Sequence, residues 1–295
     1  MPYRPSYWEQ QTFLRPTDVL IIGAGLTGLQ AARELKRRAP TLDVTLVERA
    51  PIPRGASTRN AGFACFGGPT ELLADLDAYG EEATLATVRK RYAGIRALEN
   101  NFAGRGIDWA KHGGYELVDV PEKVALVLQR LPELNRLLRE VTGLPETWSV
   151  VKATPFSDDT LLLRNPLEGQ LHPGKLVECL LEDLRTAGVR VLSGVAVMGV
   201  LGGAAAGARL AEYGFLRASR VLVTVNAFVR QLLPDEFSNE VRPVRNQVLL
   251  SRLLPGMPLA GCYHYHEGYV YFRNVGPRRL LIGGARHVAG AMSET

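Results

Sequence analysis

Residues 18–48 constrain the fold of this chain more than any other stretch. Val19, Leu20, Ile21 and Ile22 form a continuous apolar run, the pattern of a strand buried on both faces of a parallel sheet, and the run stops at Gly23-Ala24-Gly25-Leu26-Thr27-Gly28. From Thr27 to Arg38 the positions Leu29, Ala32 and Leu35 recur at three-residue spacing, with Arg33, Glu34, Lys36 and Arg37 between them. That spacing predicts an amphipathic helix, which Pro40 helps to stop. Val44-Thr45-Leu46-Val47 is then a second β-branched run. Strand, glycine turn, helix and strand in about thirty residues make a βαβ unit, and so a parallel sheet with helical crossovers.

The turn carries chemistry as well as geometry. In a GxGxxG between strand and helix, Gly23 permits the tight turn, Gly25 lets backbone approach a pyrophosphate, and Gly28 lets helix and strand pack closely. The helix N-terminus adds free N–H groups and a partial positive charge. Glu48 stands twenty residues after Gly28 at the end of the second strand, where a carboxylate accepts hydrogen bonds from a ribose hydroxyl. A glycine-rich turn that binds nothing is the bland alternative. The next stretch, Arg54-Gly55-Ala56-Ser57-Thr58-Arg59-Asn60-Ala61-Gly62, adds small residues, a hydroxyl and cations directly after the strand. Such a cluster suits a pyrophosphate and the inner edge of a flavin, which selects FAD over NAD. A polar loop capping a helix would look similar.

A length of 295 residues is room for about two domains. Hydrophobic residues at 46% and charged ones at 22% sit in the ordinary globular range, away from disorder, collagen and membrane spans. Three cysteines are too few for a disulfide framework, lack metal-type spacing, and fit a reducing compartment. With no signal-like N-terminus and no apolar run of membrane-spanning length, the expected location is the cytoplasm. The net charge of +5 is scattered, and the densest basic groups, Arg37-Arg38 and Arg89-Lys90-Arg91, read as solvated helix faces rather than a nucleic-acid stripe.

Further along, helices are expected over Glu71–Asn101, Pro121–Glu140 and Leu176–Ala187, and strands over Tyr115–Val118, Val189–Leu192 and, as a buried strand, Val221–Val225. Residues 142–175 read as turn-rich, and 202–207, GGAAAG, as a surface hairpin. Beyond Pro234 the texture changes: Gln247–Leu250, Gly268–Arg273 and Arg279–Gly284 look like antiparallel strands of a second layer. If the segment around His264 and His266 is a strand, both point to one side and could ligate a metal, but no third ligand stands at recognisable spacing. Tyr269, Tyr271 and Arg273 also share a strand face, suited either to a carboxylate-bearing amine or to ordinary cross-strand pairing. Cys65 reads as a buried, inert thiol and His172 as the start of a helix.

Ser6-Tyr7-Trp8, DVLIIGAGLTGLQAA (18–32), LVERAPIPRGASTRNAGF (46–63), GQLHP (169–173), VLVTVNAF (221–228), RPVRNQVL (242–249), GYVYFR (268–273) and RLLIGGAR (279–286) occur in that order over nearly the whole chain. In this the sequence resembles the D-amino-acid-oxidase class of FAD-dependent oxidoreductases, and within it most resembles gamma-glutamylputrescine oxidase and its relatives. The resemblance implies an α/β fold, with a Rossmann-like FAD-binding domain (1–75 and 165–235) interleaved with a mixed-sheet substrate domain (76–164 and 236–295). It implies oxidation of the C–N bond of a small amine or amino acid to an imine, with molecular oxygen the expected acceptor. A dehydrogenase using another acceptor and an inactive truncated flavoprotein are the alternatives.

By the same resemblance Gly23, Gly25, Gly28 and Glu48 hold the ADP half of FAD, with Arg49 beside the adenosine. Ser57, Arg59, Asn60 and Gly62 line the pyrophosphate and isoalloxazine, Val195 presents backbone to adenine, and Asn226 ends its strand near the cofactor. Tyr269, Tyr271 and Arg273 border the substrate. Three departures stand out. The family's pattern runs on beyond RLLIGGARH, so the substrate domain is expected to be C-terminally incomplete. No histidine sits in 57–62, so FAD is expected to be non-covalent. Leu280 and Leu281 stand where sarcosine-oxidase-like members present a lysine to oxygen.

Overall fold

A computed structural model describes residues 3–233, 240–244 and 246–288. Pro234, where the sequence changes texture, and Arg245 of RPVRNQVL lie outside the described residues. The helices are α1 (Tyr7–Gln11), α2 (Leu26–Arg38), α3 (Pro69–Phe102), α4 (Pro121–Thr142), α5 (Pro173–Thr186) and α6 (Val229–Leu232). The first strands are β1 (Thr17–Ile22), β2 (Val44–Glu48), β3 (Phe63–Ala64), β4 (Gly114–Val118), β5 (Ser149–Val151), β6 (Leu161–Asn165) and β7 (Gly169–Gln170). They are followed by β8 (Arg190–Ser193), β9 (Val197–Leu201), β10 (Gly207–Leu210), β11 (Gly214–Val223), β12 (Gln247–Leu250), β13 (Cys262–Tyr265), β14 (Val270–Val275) and β15 (Arg279–Gly284).

The chain divides into two compact units, each built from separated segments: Met1–Arg59 with Pro173–Val244, and Asn60–His172 with Arg245–Ser293. The first unit carries a six-stranded sheet in the order β8-β2-β1-β11-β10-β9. Its strands β8, β2, β1 and β11 are mutually parallel, and β10 and β9 continue the sheet antiparallel. The predicted βαβ unit is therefore β1–α2–β2, and β1 is interior, with Leu20 and Ile21 fully buried. α2 buries Gly28, Leu29 and Ala32, while its last turn leaves Lys36, Arg37 and Arg38 against the negative end of the helix dipole. The 202–207 hairpin joins β9 to β10 through a short 3₁₀ turn.

β11 departs from expectation. It starts at Gly214, ends at Val223 rather than Val225, and is not a buried strand: Leu222 is 39% exposed. The predicted run marked apolar residues, whereas strand length was set by pairing with both β1 and β10.

The second unit holds a seven-stranded sheet in the order β12-β15-β14-β13-β4-β6-β5, antiparallel apart from the β13–β4 pair. The stretch 142–175, read as turn-rich, contains three strands: β6 and β7 are short segments recruited by the distant β4 and β3, and β5 pairs in turn with β6. α3 and α4 share a core with Phe66, Trp148 and Leu163. Gly80, at φ 81°, kinks α3, and Gly143 ends α4 in a left-handed cap. On one face of the sheet Tyr115, Tyr263 and Phe272 stack ring on ring, with centroids 4.6 and 5.1 Å apart.

Candidate functional site

In the first unit a cavity of about 670 Å³ opens at the carboxyl ends of β1, β2 and β11. This is where open parallel sheets take ligands, because loops diverge there and helix N-termini point inward. Gly23 has φ +105°, and a Cβ on it would lie 2.8 Å from the Thr224 carbonyl oxygen; one on Gly28 would lie 2.1 Å from the Gly23 carbonyl oxygen. Both positions exclude side chains, so the chain turns sharply and α2 seats directly on the turn. Thr224 closes the arrangement, its hydroxyl donating to the carbonyls of Ile22 (2.9 Å) and Gly23 (3.0 Å).

Glu48 ties the glycine turn to the end of β2. One carboxylate oxygen accepts from the Ala24 N–H and the other from the Ala50 N–H, both at 3.0 Å, which leaves each oxygen a further lone pair. Ser57 reaches the start of α2, where its Oγ accepts from the Leu26 N–H at 2.9 Å. It does what the N-cap residue Gly25 cannot. The Arg49 guanidinium lies 3.8 Å from the centre of the Phe228 ring, a cation–π contact at the cavity wall. The Val195 N–H donates to the Glu48 carbonyl at 2.9 Å, and Asn226 adopts a left-handed φ of 51° just after β11.

Gly23, Gly25, Glu48, Arg49, Ser57, Val195 and Asn226 thus line one cavity, although they come from four parts of the chain. Gly28 sits beneath it, buried against the turn. Arg59, Asn60 and Gly62 do not line it. Asn60 instead accepts from the Gly62 N–H at 2.8 Å, forming a turn that leads into β3. The sequence reading missed Thr224, Met198 and Phe228 as lining residues. Thr224 and Phe228 lie inside VLVTVNAF, so that motif held the signal, whereas nothing marks Met198.

A second group lies in the other unit. β14 begins at Val270, so Tyr269 does not share a strand face with Tyr271 and Arg273; it is half exposed in the preceding turn. Likewise β13 ends at Tyr265, and His266 turns away with φ 52°, so His264 and His266 do not face the same side. No group of three metal-ligating side chains occurs among the described residues. Arg273 is buried at 7% exposure; its Nη2 donates to the Leu171 carbonyl at 3.1 Å, and its Nε has no partner. Burial lowers its pKa.

The same unit holds further ionisable groups, of which the sequence marked only His264, as a candidate metal ligand, and Cys65, as an inert thiol. Burial raises the Glu116 carboxyl to about 7 and the Glu168 carboxyl to about 8, and lowers the His264 imidazole to about 4. Burial also raises the Cys65 and Cys262 thiols, which keeps both protonated. The Cys262 thiol donates to the Gly169 carbonyl at 3.2 Å. Among the described residues no helix is long and apolar enough to cross a membrane.

Known proteins agree with this architecture. A family model described as "DAO: FAD dependent oxidoreductase" matches residues 18–294. A protein of Rhizobium meliloti (strain 1021) described as probable oxidoreductase OrdL is 30% identical over 288 residues, an alignment covering 92% of this chain and 64% of that protein. Among solved structures, L-proline dehydrogenase from P. horikoshii superposes with a TM-score of 0.69 at 17% identity, covering 92% of this chain and 70% of that one. Iminodiacetate oxidase from Chelativorans sp. BNC1 gives 0.66 at 20% identity, covering 93% and 75%. L-amino acid deaminase from Proteus vulgaris, lacking its specific insertion sequence, gives 0.66 at 19% identity, covering 92% and 68%. These structural likenesses speak to the fold, and the family match extends from the first strand through β15. By its sequence and its fold, the chain belongs to the DAO family of FAD-dependent oxidoreductases.

Proposed function

We propose that this chain holds FAD without a covalent bond and serves to oxidise the C–N bond of a small amine or amino acid to an imine, with molecular oxygen taking the electrons. The observation that carries the reading is the cavity at the carboxyl ends of β1, β2 and β11, where a turn closed to side chains meets a helix N-terminus and an acidic residue. Its residues fit the ADP half of FAD. The Gly23–Gly28 turn offers N–H groups to the pyrophosphate, Glu48 has lone pairs for ribose hydroxyls, and Val195 presents backbone to adenine. Arg49 is held beside the adenosine by Phe228. Arg59, Asn60 and Gly62 are assigned to the flavin end.

When bound, FAD supplies the two-electron acceptor; the protein's part is to place the substrate and exclude water. Tyr269, Tyr271 and Arg273 are assigned to the substrate. Arg273 suits a carboxylate, because a buried guanidinium with an unpartnered Nε still has donors to give. The solved relatives are named for amino-acid-like substrates, in keeping with this class. The resemblance to gamma-glutamylputrescine oxidase makes a monoacylated diamine the first simple amine to try. A second reading changes only the acceptor: Leu280 and Leu281 on β15 offer no cation to oxygen, and one fold relative is named a dehydrogenase.

The test is spectroscopic. Purified protein should absorb at about 450 nm and release the chromophore on acid precipitation. Under anaerobic conditions an amino acid or amine should bleach it, and air should restore the colour. Restoration by a quinone but not by air would select the second reading. A colourless protein that takes up no added FAD would end both.

A further inference from the structure

The face of the seven-stranded sheet opposite the aromatic stack carries a row that the assigned substrate residues do not account for. His264 on β13 is in register with Glu116 on β4 and with Tyr271 on β14. Phe63, the first residue of β3, stands edge-to-face on both rings, with centroids 5.3 Å from His264 and 5.8 Å from Tyr271. It directly follows the Asn60–Gly62 turn assigned to the flavin end.

The polar groups along this row are engaged, with one exception. The Glu116 carboxyl accepts from the N–H and hydroxyl of Thr70, the nearby Glu71 carboxylate pairs with Arg91, and the Tyr271 hydroxyl accepts from Asn246 Nδ2 at 3.2 Å. Glu267, in the turn after β13, pairs with Lys123. His264 Nε2 is buried and has no hydrogen-bond partner among the described residues. Aromatic neighbours offer a ring nitrogen at most a weak contact. A buried polar atom without a partner is costly, and it calls for one from outside the chain: a water, an ion or a ligand. Arg273, whose Nε also lacks a partner among the described residues, lies diagonally across from His264, since Cys262 is its register partner. Diagonal neighbours in a sheet are about 7–8 Å apart, a spacing at which two side chains can reach the two ends of one small amino acid.

We propose that His264 is a positioning residue that receives an N–H of the substrate's amino group on Nε2, while Arg273 takes the carboxylate. This rests on the amine-oxidising reading above. The imidazole stays neutral at ordinary pH because its surroundings disfavour the cation, so it accepts a hydrogen bond rather than repelling an amine. Its role ends at holding the nitrogen; it takes no proton from the reacting carbon.

The test compares His264→Phe, which keeps the ring packing against Phe63, and His264→Gln, which restores an acceptor, with the parent protein. All three are loaded with FAD and titrated anaerobically with a panel of amino acids and amines, followed by flavin absorbance and steady-state turnover. The expected result is parental FAD content and melting temperature in both variants, an apparent Kd and KM at least tenfold higher for His264→Phe with a smaller change in kcat, and partial recovery in His264→Gln. Parental Kd and KM in His264→Phe, with the parent itself bleached by the panel, would overturn the role of His264 and leave the reaction standing. A parent that binds FAD but responds to no member of the panel would overturn both.

Discussion

At the residue scale, Glu48 is the most exposed to test, because its carboxylate accepts from the backbone N–H groups of Ala24 and Ala50 and is proposed to take ribose hydroxyls when FAD binds. Glu48→Ala should weaken FAD binding by about 1.5–3 kcal/mol, the worth of a hydrogen bond to a charged group, or about 10- to 150-fold in Kd. Fluorescence titration measures this, and unchanged affinity would remove Glu48 from the site. Glu48→Gln, which keeps an acceptor for one N–H, should lose less. Arg273 invites the complementary experiment. If it holds a carboxylate, Arg273→Leu should raise KM far more for amino acids than for simple amines, since only the former lose an ionic contact. Equal losses for both classes would assign the guanidinium to its Leu171 carbonyl contact alone. Glu48 and Arg273 were legible as candidates because strand ends and strand faces can be counted along a sequence. Glu116 and Glu168 were not, since nothing local distinguishes a glutamate buried in Tyr115-Glu116-Leu117 from one facing water, and His264 was marked only as a candidate metal ligand.

At the element scale, the start of α3 is the unusual feature. Its N-cap, Gly68, has no side chain, and Glu116 reaches from β4 to accept the Thr70 N–H, while Glu168 accepts the Phe66 N–H at 2.9 Å just before the helix. Glu116 therefore does the work of a capping serine, and Glu168 fixes the turn that leads into the helix. Unfolded, such groups titrate at the ordinary 4.5; folded, they hold their protons to about 7 and about 8. Between these limits the folded chain binds more protons than the unfolded one, so stability is fully present below about pH 4.5, declines as pH rises, and levels off above about 8. Melting temperature measured from pH 5 to 8.5 should fall accordingly. Glu168→Gln, which keeps the neutral shape, should flatten the decline by on the order of 1 kcal/mol. A variant that keeps the parental pH slope would show that Glu168 is ionised in the fold. The sequence predicted α3 itself from helical spacing, but its cap is supplied by Glu116, more than 40 positions later in the chain and beyond any local signal.

At the scale of the whole molecule, each compact unit is assembled from two distant segments, and every residue lining the cavity at the carboxyl ends of β1, β2 and β11 belongs to the first. A ligand that binds only the folded state stabilises by mass action, about 2.7 kcal/mol at a hundredfold excess over Kd. Saturating FAD should therefore raise the melting temperature by several degrees, and NAD should not; an equal response to NAD would contradict the cofactor assignment. The sequence by itself determined the β1–α2–β2 unit, its glycine turn and the acidic strand end, because these depend on neighbours within about thirty residues and on side-chain periodicity. It also marked β12 and β15 to the residue. Tertiary structure alone decided that β5, β6 and β7 exist, where β11 stops, and that Tyr269 and His266 leave their strand faces. Short strands are fixed by the partner they pair with rather than by their own composition. It likewise decided which carboxyls and which imidazole lose their water, since burial is a property of what packs from elsewhere in the chain, and their protonation follows from it.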